Sequence, residues 1–258
     1  MAALLFVGCT NRQENDYEAG LKYSKKKEWP QAVIYFERTI LRDRESPIAL
    51  KAMKEAARIE YLQVKDYKRA AQYYQDIIVH SPREEERLDA QKQLAAIYFE
   101  SLQDYERAAV EYSKLVTSSR VDSERAAYKL LVARSQYFLG NYFQALSEID
   151  EILKLRADQE TEFQARLLRG NVYVAEKKFP DAAKVFSEVI DKFPEKSLKE
   201  NVHLVLSLAY EENGDYKQAI SILEKIKDIY QPKEYIELRL KRIKERAHNQ
   251  PGARGYRK

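Results

Sequence analysis

The feature that most constrains this chain is a pattern that returns every 37 or 38 residues. An aromatic residue is followed three positions later by Ala, then by Ala or an aliphatic residue, and seven positions later by a large residue. It reads Trp29-Pro-Gln-Ala32-Val33-Ile-Tyr-Phe36 in its first copy and Tyr67-Lys-Arg-Ala70-Ala71-Gln-Tyr-Tyr74 in its second. The leading aromatics are Trp29, Tyr67, Tyr105, Tyr142, Phe179 and Tyr216, spaced by 38, 38, 37, 37 and 37. Six near-equidistant copies mean a stack of one small unit, because a unit this size cannot bury its apolar face alone.

Companion positions define the unit. Nine residues before each leading aromatic stand Gly20, Arg58, Ala96, Ala133, Gly170 and Ser207, small in five of six copies. Six before it stand Tyr23, Tyr61, Phe99, Gln136, Tyr173 and Tyr210. Polar pairs separate the two patterns, from Lys27-Glu28 to Gly214-Asp215. This is helix, tight turn, helix, with the small residue letting the second helix approach closely. Composition agrees. Seven Gly and seven Pro in 258 residues are too few for an all-β chain with a turn every 8–12 residues. A 45% hydrophobic content, against 33% charged, is enough for a packed core.

On these residues the chain resembles the tetratricopeptide repeat family, over residues 17–232. The resemblance implies an all-α fold: a right-handed α-solenoid of about six helix pairs. Residues 233–246, with Tyr235, Ile236, Leu238, Leu240 and Ile243 among charges, read as the capping helix that a solenoid end requires. Residues 247–258 read as a basic disordered tail. Two departures stand out. The family period is 34, and its second-helix Ala, ten after the aromatic, is here Thr39, Ile77, Leu115, Ile152, Val189 and Ile226.

The chain opens with an apolar run, Met1 to Val7, that ends in Gly8 and the only cysteine, Cys9. The run is far too short to span a bilayer. Phe6-Val7-Gly8-Cys9 resembles a bacterial lipobox, with Phe6 where Leu is usual. The resemblance implies that residues 1–9 are the remnant of a lipoprotein signal, that Cys9 is lipidated, and that residues 10–16 are a tether. Thr10 after the cysteine implies the outer membrane, on its periplasmic face. The competing reading is a free cysteine at the end of a cytoplasmic protein.

The sequence offers little chemistry. His80, His203 and His248 are too scattered for a metal site, one cysteine excludes a multi-thiolate site, and no phosphate-binding or nucleophile motif occurs. We read the chain as a non-enzyme with no cofactor, metal or small-molecule substrate. Nine Lys and Arg against three Glu from Lys233 to Lys258 make that end basic, while the whole chain carries only +4. With Tyr256 as the tail's lone stacking residue, no nucleic-acid partner is expected.

The family's concave groove implies a protein partner. Twelve residues before each aromatic stand Tyr17, Glu55, Gln93, Leu130, Leu167 and Leu204; eight before, Arg134 and Asn171 are polar points. With no lysine in the first set, the carboxylate clamp of the family's chaperone-binding branch is not expected. The lipobox-like start followed by repeats is similar to two lipoprotein families, the β-barrel assembly machine subunit and the type IV pilus pilotin. The expectation is a lipid-anchored interaction scaffold in an outer-membrane assembly or pilus/secretion complex, the alternative a soluble cytoplasmic adaptor or regulatory subunit.

Overall fold

The structure, a computed structural model, describes the backbone of residues 3–249 and the side chains of residues 12–249. The described residues form fourteen α-helices and no strand. They divide into two compact units, residues 3–119 and 120–249.

The first unit holds three helix pairs: α1 (Ala3–Lys25) with α2 (Trp29–Arg42), α3 (Pro47–Ile59) with α4 (Tyr67–His80), and α5 (Glu84–Ala96) with α6 (Tyr105–Ser118). Its core is Ala32, Phe36 and Ile40 of α2, Met53, Ala56 and Ala57 of α3, and Ile77 of α4. The second unit pairs α7 (Asp122–Phe138) with α8 (Tyr142–Ile152) and α9 (Gln159–Ala175) with α10 (Phe179–Lys192). After the short α11 (Pro194–Lys199), α12 (Val202–Glu212) pairs with α13 (Tyr216–Ile226), and α14 (Lys233–His248) closes the unit. Ile236, Leu240 and Ile243 of α14 cover Ala219, Leu223 and Ile226 of α13, which would otherwise face water.

Every leading aromatic is the first residue of a second helix. Two positions earlier the backbone turns left-handed at Lys27, Lys65, Gln103, Gly140, Lys177 and Gly214, with φ between 51° and 84°. The next residue's N–H then closes onto the first helix, as in Asn141 to the Gln136 carbonyl (2.9 Å) and Lys178 to the Tyr173 carbonyl (2.8 Å). This satisfies carbonyls that a helix end leaves bare. The bulkier residues in place of the family's Ala, Thr39 through Ile226, are all buried.

The 38-residue spacings have a local cause. Helices α3 and α5 each end in one π-helical turn, Glu60–Val64 and Ile97–Ser101, which accommodates one extra residue. These lie in the two copies whose spacing is 38. The insertion corrects the expected register. In the second and third pairs the buried small residue is Ala57 and Ala95, ten before the aromatic, while Arg58 points to solvent and Ala96 is only half-buried. Small-x-x-aromatic becomes small-x-x-x-aromatic there, and Tyr61 and Phe99 still meet Tyr67 and Tyr105 edge-on at 5.5 and 5.4 Å.

The expected tether, residues 10–16, is instead helical as part of α1. The reason is at the end of α2. Gln13 is 4% exposed, and its amide donates to the Thr39 carbonyl (2.9 Å) and to Ser46 Oγ (2.8 Å), while Asp16 pairs with Arg42 at 2.6 Å. The side chain of Cys9 and the tail from residue 250 on lie outside the described residues, as does most of the expected signal remnant's detail.

Candidate partner-binding cleft

In the first unit a cleft of about 510 Å³ opens between α3 and α5. One wall carries Lys54, Glu55, Arg58, Tyr61 and Leu62, the other Glu86, Asp89, Ala90 and Gln93, and Tyr74 and Ile77 of α4 form the floor. The helices place these side chains by periodicity. Ala57 and Ala95 turn inward, so Glu55 and Gln93, two positions earlier and about 200° round the helix, turn toward the cleft.

The charges of the cleft are largely paired with each other. Lys54 Nζ reaches Glu86 Oε1 across it at 2.8 Å, and Arg58 holds Glu55 at 2.7 Å. Glu86 also accepts from Ser81 Oγ at 2.7 Å and from Arg83. Burial alone would raise the Glu86 carboxyl, but the hydrogen bonds from Lys54, Ser81 and Arg83 outweigh it and bring it down to about 2. Asp89 (70% exposed) lines the cleft and pairs with Lys92 (48%) at 3.8 Å. The surface thus offers an apolar strip, Tyr61, Leu62 and Tyr74, flanked by both signs of charge, which suits an extended peptide with a few large side chains.

Of the expected groove residues, Glu55 and Gln93 come together in this cleft. The π-helical turns put them one step out of register with Tyr17. The true counterparts are Lys54 and Lys92, so lysine is present at these positions after all, with Lys54 tied to Glu86. The other expected residues do not join them. Tyr17 is half-buried with its ring 5.8 Å from Phe36, where burial raises its hydroxyl pKa. Leu130 is 7% exposed and belongs to the core of α7, α8 and α9, which corrects its placement in a groove. Leu167 packs on the cluster around Phe163 and Phe186, and Leu204 on the cluster of α13 and α14. Arg134 Nη2 donates to Gln164 Oε1 at 2.8 Å, joining α7 to α9, and burial lowers its pKa. Asn171 is half-buried on α9.

On the second-helix side of the same unit, Arg69 joins Glu37 (2.5 Å) and Glu60 (2.9 Å), and Tyr73 donates to Glu37 at 2.9 Å. Glu60 is 1% exposed, and its second oxygen has no partner. Burial, only partly offset by Arg69, raises its pKa. Sequence reasoning missed this network because Glu60 exists as a buried residue only through the π-helical turn.

Among the described residues, no group of His, Cys, Asp and Glu is arranged to hold a metal, and no helix is long and apolar enough to cross a membrane.

Two tetratricopeptide repeat models match the sequence, over residues 130–197 and 173–241. No curated protein matches it significantly. Among solved structures, a tetratricopeptide repeat protein from Parabacteroides merdae superposes with a TM-score of 0.57 at 18% identity, covering 96% of this chain and 95% of that one. YrrB, described as a TPR protein with an unusual peptide-binding site, gives 0.53 at 18% identity over 80% of this chain and 97% of its own. PilW, a type IV pilus biogenesis factor, gives 0.57 at 14% identity over 88% and 98%. At these identities the likeness is one of fold.

Proposed function

We propose that this chain, which carries tetratricopeptide repeats, is a non-enzymatic scaffold that holds an extended segment of a partner protein in the cleft between α3 and α5. The observation that carries this reading is the cleft itself: an apolar strip with paired charges on both walls, its walls mostly first-helix residues outside the core and its floor Tyr74 and Ile77 of α4. The likeness to YrrB, whose description names a peptide-binding site, supports it. We extend the proposal to the setting: a component of an outer-membrane assembly or a pilus/secretion complex, lipid-anchored through Cys9 on the periplasmic face. The lipobox-like Phe6-Val7-Gly8-Cys9 and the likeness to PilW support that extension.

One observation favours the second reading, a soluble cytoplasmic adaptor: the backbone of α1 runs without a break from Ala3 through Cys9 into the packed part of the helix, leaving no tether. Metabolic labelling with an alkynyl fatty acid decides between them. Label on the chain expressed from its genomic start, lost in Cys9→Ala, supports the anchor. Absence of label removes it.

A further inference from the structure

The six turns between paired helices are six versions of one structure, so they show which residues the turn needs and which it does not. All share the left-handed residue and the aromatic two positions on. Five carry charged side chains at their tips. The fourth reads Phe138-Leu139-Gly140-Asn141-Tyr142-Phe143-Gln144 and carries none. It sits in the longest uncharged stretch of the chain, thirteen residues between Arg134 and Glu148, in a protein that is 33% charged. Where the fourth turn has Phe143, the others have Pro30, Lys68, Glu106, Pro180 and Lys217. The fold therefore does not ask for Phe at that position.

Nor does Phe143 serve the core. It is 81% exposed, with Leu139 at 41%. Tyr137 stands behind them, its ring 5.5 Å from Phe138 and 6.0 Å from Tyr142. The result is an apolar tip on an aromatic base, at the end of the α7–α8 pair and inside one unit. Leu139 and Phe143 together offer on the order of 200 Å², given that a buried aromatic contributes about 150–250 Å². A stable protein interface needs about 800 Å² from each partner. A protruding tip of this size falls short of that, whereas a lipid surface asks only for depth, and aromatic residues favour its interfacial layer.

We propose that the α7–α8 turn is a lipid-surface contact, with Leu139 and Phe143 entering the interfacial layer of a bilayer. The contact is independent of Cys9 and of the partner cleft. Because the turn has no charge, binding rests on apolar burial and responds little to salt, unlike attraction of the basic α14 to anionic lipid.

The test uses the full chain as Cys9→Ser, which removes acylation, with vesicles of phosphatidylethanolamine and phosphatidylglycerol in a flotation assay. Expected is partition into the vesicle fraction that changes less than twofold between 0.1 and 0.5 M salt. It falls at least tenfold in Phe143→Asp and stays unchanged in Val79→Asp, a comparably exposed apolar site on α4 (73% against 81%). An unchanged thermal midpoint for Phe143→Asp shows that the fold is intact. As a second readout, Trp29→Phe/Phe143→Trp shifts its emission to the blue on vesicles and is quenched by brominated lipid. A chain that stays off vesicles, binding abolished by salt, or binding indifferent to Phe143→Asp overturns the proposal; self-association through Phe143 without vesicle binding assigns the tip to protein contact instead.

Discussion

Replacing Gly170 by Ala sets two known effects against each other. In an exposed helix the change is favourable by up to about 1 kcal/mol, because Gly loses more backbone freedom on folding. Here a Cβ at residue 170 would stand 2.2 Å from Phe186 Cε1 and 2.6 Å from its Cζ. Phe186 is 0% exposed and enclosed by Phe163, Val189, Val202 and Leu206, so the ring has nowhere to move without displacing them. Overpacking of this kind costs about 1–3 kcal/mol, so the clash wins and a net loss of about 1–2 kcal/mol is expected. In thermal unfolding that is a midpoint lowered by roughly 2–8 °C. The other pairs supply the compensating change: Ala133 goes with Ile149 and Ser207 with Leu223 at the matching positions. Phe186→Leu is therefore expected to cost less in the Gly170→Ala background than alone, with a coupling of about 1 kcal/mol. A Gly170→Ala protein more stable than wild type, or a strictly additive double mutant, would refute close approach as the reason for glycine.

Three further outcomes are expected. Deleting Glu60 converts the π-helical turn to regular helix and leaves the pair folded, whereas deleting Ser135, in a helix with no such turn, rotates everything after it by about 100° and abolishes cooperative unfolding; circular dichroism melts separate the two. Lys65→Gly and Lys177→Gly, at φ of 63° and 58°, each stabilise by about 0.5–1 kcal/mol in urea titration, because the left-handed region costs a side chain more than Gly. Glu60→Gln stabilises at pH 7 but not at pH 4. A carboxyl whose pKa is raised in the folded state contributes fully below its unfolded value, near 4.5, and loses that contribution as pH rises through the folded value. Urea midpoints at the two pH values test this, and an equal effect at both would contradict it.

The pairs, their turns and the end helix were legible because each rests on side-chain types that repeat: an aromatic at the start of the second helix, a left-handed turn residue before it, Ala behind it. What was hidden is what one inserted residue does. The difference between 38 and 37 looked like scatter, yet it marks the two π-helical turns. The lone large residue among the small ones, Arg58, was the visible trace of the slipped register. The same slip misassigned Glu55 and Gln93 as equivalents of Tyr17 and hid Lys54 and Lys92. Gln13 was illegible for a different reason: its partners lie 26 and 33 residues away, at the far end of α2. Leu130 was misplaced because helix periodicity alone does not tell a groove face from a face covered by the next helix, and here α9 covers it.

The partner-cleft proposal is tested most directly by photocrosslinking in the native organism. A benzoylphenylalanine placed at Gln93, in the cleft, is compared with one at Gln72, on the second-helix side of the same unit. The expected result is a discrete crosslinked partner from position 93 that is absent from position 72 and lost when Tyr61 and Leu62 are replaced by Ser. No adduct from position 93, or the same adduct from both positions, would contradict the assignment of the α3–α5 cleft as the partner site.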